Sequence, residues 1–365
     1  MDKKYTHLFE RLNVYMNIEA MSRYEEPVVD ELKKGIASDT FEVYRDGFGS
    51  VIFHKKSKNP KNPNAPKVML AAHMDEVGYI VRSVEKNGNL LVSTIGGVWP
   101  NVVIGTKATL VVNASGKKFT GVFGHTSIHI LEAEKVKQAI TEKELFVDFG
   151  FMSDQEAFDH GVEVGDRIYI SGETVILENN LVGGKAMDNR AGVTAIELIA
   201  NQVANLDLDV DLYIVGTVQE EVGTRGAKTS VSLINPDVAF AVDTGASHDT
   251  TGAIKGTPVL GKGVNLLVKD GGTLGDPKIL DLLMHLAKTH NIPAYKYIAM
   301  GGGTDASVLQ YARGGAKTVS ISIPQRYLHS PIGVASLVDI QATVDLMVEF
   351  IKAYSQEKHE ELSYK

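Results

Sequence analysis

The feature that most constrains the fold is a continuous apolar run at residues 68–72, which follows Lys67 and reads Val-Met-Leu-Ala-Ala. A strand that is apolar on both faces belongs in a parallel sheet that helices cover on both sides. After residue 180 the pattern alternates between helix and strand, so the sequence predicts an α/β fold. The predicted elements there are a helix over Asn189–Val203, strands over Val210–Val218 and Val238–Val242, helices over Pro277–His290 and Asp305–Arg313, and a strand over Thr318–Ile323.

Between these parts, over residues 78–172, short β-like runs dominate. Turn signals such as Asn87-Gly88 separate the runs, and helical stretches near Glu132–Thr141 and Ser153–Asp159 interrupt them. The pattern indicates a β-barrel-like domain inserted into the α/β domain. We expect the α/β domain to comprise residues 1–76 and 174–365, and the insert to comprise residues 77–173.

Local signals predict further features. Ser22 and Glu25 have the spacing of a capping box before a second helix. Residues 59–66 hold three prolines and three asparagines and are expected to form a loop. Ser336 is expected to cap a final long helix, and the charged residues from about Gln356 are expected to fray.

Charge and cysteine content exclude several classes of protein. The chain has 37 Lys and Arg against 45 Asp and Glu, a formal net charge of −8, so we expect no nucleic-acid partner. It has no cysteine, which leaves His, Asp and Glu as metal ligands and fits a reducing cytoplasm. No apolar run reaches the roughly 18–20 residues that span a bilayer, and residues 1–15 lack a signal-peptide pattern. We therefore expect a cytoplasmic protein without a membrane partner.

Five short motifs with His, Asp or Glu share one kind of position. Four follow predicted strands, and the fifth lies where a helix begins. The four are His73-Met74-Asp75, Glu220-Glu221, Asp243 and His329, and the fifth is Asp188. Ligands of open α/β sheets bind outside the carboxyl ends of the strands, so we expect the five motifs to converge.

The residue types suit two metal ions. Two ions about 3.5–4 Å apart need a bridging carboxylate and further nitrogen and oxygen ligands for each ion. One acid must also remain free to take a proton from the attacking water. Glu220 and Glu221 suit this division, because neighbours in an extended chain point to opposite sides. Each motif alone more often has a structural role, so the combination carries the prediction.

Five longer stretches resemble peptidase family M42, the dinuclear metallo-aminopeptidases that include the tetrahedral aminopeptidases and are sometimes labelled endoglucanases. They are Ala72–Gly78 (AHMDEVG), Lys185–Arg190 (KAMDNR), Gln219–Ala227 (QEEVGTRGA), Gly302–Ala306 (GGTDA) and Arg326–Pro331 (RYLHSP). The resemblance covers nearly the whole chain, and the run from Gln219 is its most specific part.

The resemblance implies a role for each residue. His73 and Asp243 would hold one metal ion, Glu221 and His329 would hold the other, and Asp188 would bridge the two. The ions are expected to be zinc or cobalt, and manganese also suits such nitrogen and oxygen ligands.

For the reaction, the resemblance implies an aminopeptidase that removes N-terminal residues from short peptides. Glu220 would be the general base for a water that bridges the two ions, and Asp75 would orient the imidazole of His73. The implied fold is a zinc-exopeptidase-like α/β/α sandwich whose insert is a PDZ-like oligomerisation domain. Dimers formed through that insert would build a tetrahedral dodecamer.

Several alternatives stay open. His248 can compete as a ligand, and His129 in the insert can either reach a neighbouring subunit's active site or have a structural role. The same residues would serve a deacylase of acylated amino acids, and a shell-forming protein without catalysis is a further alternative. A glycosidase would need two metal-free carboxylates. The preferred N-terminal residue stays open among acidic, basic and apolar ones.

Overall fold

The structure, a computed structural model, describes residues 1–58 and 65–364. The predicted loop at residues 59–66 lies outside the described residues except for its last two. The strands are β1 Glu42–Arg45, β2 Val51–Lys55, β3 Lys67–His73, β4 Gly78–Val84, β5 Leu90–Ile95, β6 Lys107–Val111, β7 Lys118–Gly124, β8 Phe146–Asp148, β9 Arg167–Ile170, β10 Val175–Ile176, β11 Leu181–Gly184, β12 Asp211–Thr217, β13 Val238–Ala246, β14 Val264–Lys269, β15 Ala294–Ile298, β16 Lys317–Arg326 and β17 Gly333–Ser336. The α-helices are α1 Thr6–Met16, α2 Glu26–Gly35, α3 Asp154–Asp159, α4 Met187–Val203, α5 Arg225–Ile234, α6 Pro277–Thr289, α7 Ala306–Leu309, α8 Leu337–Ala353 and α9 Gln356–Glu361.

Strand β3 lies inside the larger sheet. Within the described part of the chain this sheet has eleven strands, in the order β1-β2-β12-β3-β13-β16-β17-β11-β10, with β14 paired to β16 and β15 paired to β14. β3 is parallel to β12 and β13, and β13 is parallel to β16. Every residue of β3 after Lys67 is buried, which confirms the prediction of a parallel strand with two buried faces. The carboxyl ends of these four strands therefore lie at one edge of the sheet.

Helices cover both faces of this sheet. Helices α1, α2, α4, α6 and α8 share an apolar core with one face, in which Leu70, Ile196 and Met347 are fully buried. Helices α5 and α7 pack on the other face, around Met69 and Val231. Burial of apolar surface in these two layers holds the sheet between the helices. The arrangement is the predicted α/β/α sandwich.

The second unit is a closed barrel formed by the strands between β3 and β10. Its strand order is β4-β5-β8-β7-β6-β9, and its separate apolar core includes Tyr79, Leu110 and Phe123. A closed barrel leaves no unpaired edge strand, so this unit can be inserted without extending the larger sheet. The barrel agrees with the predicted fold class, whereas the domain limits after residues 76 and 173 and the oligomerisation role stay predictions.

Two predicted helices are shorter than expected. The stretch Glu132–Thr141 contains only a 3₁₀ turn at Lys135–Lys137, because residues 132–139 are all exposed and find no core to pack against. The predicted helix over Asp305–Arg313 is helical only in α7, before the chain turns through two glycines with positive φ, Gly314 and Gly315. The helix predicted over Ser153–Asp159 is confirmed as α3, which Ser153 caps.

The prediction that the chain frays from Gln356 is wrong. These residues form α9, whose first turn is capped by Ser355. The ammonium of Lys278 donates to the carbonyl oxygen of Ser363 at 2.9 Å, which ties the end of the chain to α6. No helix within residues 1–58 and 65–364 combines the length and apolar character needed to cross a membrane.

The capping box predicted from Ser22 and Glu25 is also wrong. No side chain caps α2. The hydroxyl of Ser22 donates instead to Oδ2 of Asp75 at 2.6 Å, and Oε1 of Glu25 accepts from the backbone N–H of Gln219 at 3.0 Å. Both side chains thus bind the segments that follow β3 and β12. The predicted cap of α8 is confirmed, since Ser336 accepts from the backbone of that helix.

Candidate metal centre

The strand ends place the five motifs together at one edge of the sheet. His73 is the last residue of β3, Asp243 lies within β13, and His329 follows β16 by three residues. Glu220 and Glu221 follow the end of β12. Asp188 lies at the start of α4, where its torsion angles are non-helical.

Asp188 lies between the two histidines. Its Oδ1 is 3.0 Å from Nε2 of His73, and its Oδ2 is 3.2 Å from Nε2 of His329. Nε2 of His73 is also 3.5 Å from Oδ1 of Asp243, and Nε2 of His329 is 3.3 Å from Oε1 of Glu221. Each histidine therefore faces one oxygen of Asp188 and one further carboxylate.

Three groups of these residues have ligand atoms within 4.8 Å of one another. The groups are His73 with Asp188 and Asp243, Asp188 with Glu221 and His329, and His73 with Glu220 and Glu221. The first two share Asp188, so this carboxylate offers one oxygen to each of two His-carboxylate pairs. Oε1 of Glu221 is buried, and the nearest ring nitrogen is Nε2 of His329 at 3.3 Å. A buried carboxylate that shares a histidine with a second carboxylate fits a divalent cation.

Asp75 binds the backbone around the site. Its side chain is fully buried, and its Oδ1 lies 3.5 Å from Nδ1 of His73. It accepts from the backbone N–H of Glu220 at 3.0 Å, from that of Glu221 at 3.2 Å, and from the hydroxyl of Ser22. Against the effect of burial, His73 and Ser22 hold the pKa of Asp75 below its usual value. Nδ1 of His73 lies 3.1 Å from the backbone carbonyl oxygen of Asp75, so the backbone and the anionic side chain of Asp75 together face this edge of the ring.

Without a metal, the histidines and carboxylates share protons. Burial lowers the pKa of His329, but hydrogen bonds to Asp188 and Glu221 outweigh it and raise that pKa to about 11. Burial opposes ionisation of Asp188, yet both histidines hold its pKa below the usual value. Burial raises the pKa of Glu220 well above its usual value, and the nearby charges of Asp243, Asp305 and Glu221 add to this effect while His73 opposes it. A raised pKa makes the carboxylate of Glu220 a stronger base than an exposed glutamate.

The sequence predicted no role at this site for two residues that lie beside it, Ser22 and Asp305. Ser22 carries no pattern that would reveal its bond to Asp75. Asp305 accepts from the hydroxyl of Thr217 at 2.5 Å, and its Oδ1 has no partner. Burial, opposed by His73 and assisted by Asp243, raises the pKa of Asp305 to about 7. Its only sequence signal was its place in the stretch Gly302–Ala306.

His248 and His129, the two histidines whose roles the sequence left open, lie outside the three groups of candidate metal ligands. Nδ1 of His248 is 2.8 Å from the carbonyl oxygen of Ile254, and its Nε2 is 2.9 Å from the hydroxyl of Tyr297. Both ring nitrogens of His248 are therefore engaged. His129 is exposed on the barrel, and its predicted reach into a neighbouring subunit stays a prediction.

Comparison with known proteins shows the family. Residues 49–346 match the family model described as M42 glutamyl aminopeptidase. The glutamyl aminopeptidase of Lactococcus lactis subsp. cremoris is 35% identical over 358 residues, which cover 97% of this chain and 99% of that protein. The chain therefore belongs to the M42 glutamyl aminopeptidase family, and it is an aminopeptidase, a hydrolase of peptide bonds.

Solved structures share the fold over the whole chain. An aminopeptidase from the archaeon Desulfurococcus kamchatkensis has a TM-score of 0.92 at 32% identity, covering 100% of this chain and 99% of that one. The TET1 peptidase of Pyrococcus horikoshii can assemble into a tetrahedron or a large octahedral shell. Its structure has a TM-score of 0.83 at 27% identity, covering 95% of this chain and 100% of that one. These likenesses support the sandwich with an inserted barrel.

Proposed function

We propose that this aminopeptidase uses two divalent metal ions held at the sheet edge. His73 and Asp243 would hold one ion, Glu221 and His329 would hold the other, and Asp188 would bridge them. The observation that carries this proposal is the position of Asp188, whose two oxygens face two different histidines at 3.0 and 3.2 Å. Zinc and cobalt suit this ligand set best, and manganese is compatible with it.

Glu220 is the proposed general base. When bound, the ions would polarise the scissile carbonyl and make a water bridging them acidic enough to attack at neutral pH. Glu220 would take the proton from that water and deliver it to the leaving amine. The burial and charges that raise its pKa support the second of these steps, because a weakly basic carboxylate would not hold the proton long enough to pass it on.

Asp75 would act through His73 rather than on the substrate. It lies next to Nδ1 of His73 and is anchored by the backbone of both glutamates. This position supports a role in which Asp75 fixes the ring so that Nε2 points to the ion.

The proposed substrates are short peptides with a free N-terminus, hydrolysed in the cytoplasm. We also propose that the chain forms dimers through the barrel and that these dimers build a dodecamer. The assembly of the TET1 peptidase supports this, and so do three apolar side chains exposed on the barrel, Trp99 at 61%, Ile128 at 62% and Ile130 at 80%. A molar mass near that of one chain in light scattering would contradict the assembly.

The test of the function is hydrolysis of p-nitroanilides of Leu, Glu, Lys and N-acetyl-Leu, before and after metal is stripped and zinc or cobalt restored. Cleavage of the free-amine substrates only, lost on stripping and regained with metal, is expected. Cleavage of the acetylated substrate would favour a deacylase. Absence of cleavage under every metal would favour a shell-forming protein without catalysis.

A further inference from the structure

A cavity of about 350 Å³ lies beside the proposed metal centre. Its lining includes Thr244, which follows Asp243, and Leu328, which precedes His329. The cavity is therefore adjacent to one proposed ligand of each ion. A peptide held at the centre by its first residue has this space available for the side chain of that residue.

Much of the cavity wall is apolar. Ile254, Leu267, Met300 and Leu328 contribute aliphatic side chains, and Tyr297 contributes an aromatic ring. Such a wall binds methylene groups, because their transfer out of water is favourable. The walls alone would accept any long side chain, so selectivity depends on the polar groups among them.

Three buried oxygens on residues of this cavity have no hydrogen-bond partner within the described part of the chain. They are Oδ2 of Asp270, a residue that is 3% exposed, Oδ1 of Asn265, a residue that is 2% exposed, and Oγ1 of Thr244, a residue that is 7% exposed. The other oxygen of Asp270, Oδ1, accepts from the backbone N–H of Gly272 at 2.8 Å and of Thr273 at 2.6 Å. The turn thus fixes the carboxylate and leaves Oδ2 for a donor. A buried acceptor without a donor is costly, so a ligand that supplies one is favoured.

No Lys or Arg lines the cavity within the described residues. The carbonyl oxygen of Ile254 can only accept, so Nδ1 of His248 donates to it, and Nε2 of His248 lies 2.9 Å from the hydroxyl of Tyr297. The ammonium of Lys269 donates to the carbonyl oxygen of Asp270 at 3.3 Å rather than to its carboxylate.

We propose that this cavity binds the first side chain of the peptide and selects a basic one, lysine or arginine, with Asp270 as the residue that determines the specificity. The aliphatic stem would lie along the apolar wall, and the cationic end would donate to Oδ2 of Asp270. The inference rests on the proposed aminopeptidase function. An acidic side chain would put a second negative charge next to Asp270 without a cation. This disfavours a preference for glutamate, the residue in the name of the Lactococcus relative.

The test compares kcat/KM for the p-nitroanilides of lysine, arginine, norleucine, leucine and glutamate with the metal-loaded enzyme. Norleucine has the carbon chain of lysine without the ammonium. A charge-assisted hydrogen bond predicts that lysine exceeds norleucine by about 10- to 100-fold. Asp270→Asn keeps an oxygen for the two backbone N–H groups but removes the charge. It should bring the two substrates within about 3-fold of each other by lowering kcat/KM for the lysine substrate.

The matched control is Asp281→Asn, because the side chain of Asp281 is 76% exposed and pairs with Lys296 at the surface. This variant should keep the full preference for lysine. Faster cleavage of the leucine or glutamate substrate by the wild type, or a lysine preference that survives in Asp270→Asn, overturns the inference and leaves the aminopeptidase function intact. Failure to cleave any free-amine substrate under any metal overturns the proposed function itself. The wild-type ratio of lysine to norleucine decides the question even where a variant does not fold.

Discussion

The hydroxyl of Ser22 donates a 2.6 Å hydrogen bond to Oδ2 of Asp75, across 53 positions of the chain. The same carboxylate accepts from the backbone of Glu220 and Glu221 and lies beside His73. The segment before α2 thus reaches the two loops that carry the proposed base and ligands. Ser22 acts on the site only through Asp75, which makes it a positioning residue.

Ser22→Ala is expected to lower kcat about 10-fold or more, because a hydrogen bond to a charged group contributes roughly 1.5–3 kcal/mol. KM should change little, since Ser22 does not line the substrate cavity. Steady-state kinetics on a p-nitroanilide measures both constants. Ser22→Thr, which keeps the hydroxyl, is the control. An unchanged kcat together with a lower melting temperature would show that Ser22 only stabilises the fold.

Glu220→Gln is expected to lower kcat by about 10²–10⁴-fold, the range typical for removal of a general base. The amide has the same size but cannot take a proton, so both ions should stay bound. Turnover and elemental analysis on the same sample measure the two properties. Loss of metal together with activity would show that Glu220 is a ligand, and near-normal turnover would refute the assignment of the base.

The sequence predicts the elements of the site better than the contacts between them. The strands that end near His73, Asp243 and His329 are recognisable because a fully apolar run followed by a polar motif is a local signal. Their convergence follows from the general rule for parallel sheets. The two-sided contact of Asp188 with both histidines depends on the non-helical start of α4, which no local pattern reveals.

The errors have a common cause in contacts between distant residues. Ser22 and Glu25 fit the spacing of a capping box, but their partners, Asp75 and Gln219, are far away in the sequence. The stretch 132–141 has helix-forming residues, yet it is exposed and no core stabilises a helix there. Asp270 is a single acidic residue after a strand, so its unpaired oxygen is visible only in the folded chain.

Asp188→Ala is expected to remove both metal ions, because each proposed ion loses its shared ligand. Asp243→Ala is the matched variant and should cost one ion, since Asp243 lies beside His73, the other proposed ligand of that ion. Elemental analysis after gel filtration gives the number of ions per chain. Two ions retained by Asp188→Ala would rule out a bridging role, and equal losses in the two variants would argue against separate sites.

Metal uptake is expected to release protons and to strengthen as the pH rises. The pKa of His329 is about 11 in the absence of metal, well above its ordinary value of 6.5, so at pH 7 an ion must displace its proton. Affinity should increase about tenfold per pH unit for each proton displaced. Titration calorimetry in two buffers of different ionisation enthalpy counts the protons. Equal heats in both buffers would contradict the prediction.

The same shift gives the metal-free protein its own pH dependence. A raised pKa means that the folded state holds the proton of His329 more tightly than the unfolded chain does. The stabilisation from this group is fully present below about pH 6.5 and is lost as the pH rises through about 11. Metal-free His329→Gln should therefore have a flatter decline of unfolding free energy between these values. An identical decline in the variant and the wild type would show that other groups cause it.

Glu76 connects the loop after β3 to the loop that carries Asp188. Its Oε2 lies 2.6 Å from the ammonium of Lys185, and its Oε1 lies 3.4 Å from Nη2 of Arg190, whose side chain is fully buried. Glu76→Gln would leave two buried cations without a countercharge, which typically costs about 3–5 kcal/mol of unfolding free energy. Burial already lowers the pKa of Lys185, so this lysine can lose its proton, whereas arginine cannot. The loss of unfolding free energy should therefore come mainly from the buried charge of Arg190.

Urea unfolding of the metal-loaded protein measures this cost, with Asp281→Asn at an exposed ion pair as the control that should leave stability nearly unchanged. Because Glu76 adjoins Asp75 and binds residues on both sides of Asp188, Glu76→Gln should also weaken metal affinity. A variant with wild-type stability would show that water or another group neutralises the cations. A variant that is destabilised but binds metal with unchanged affinity would show that the pair stabilises the fold without positioning the site.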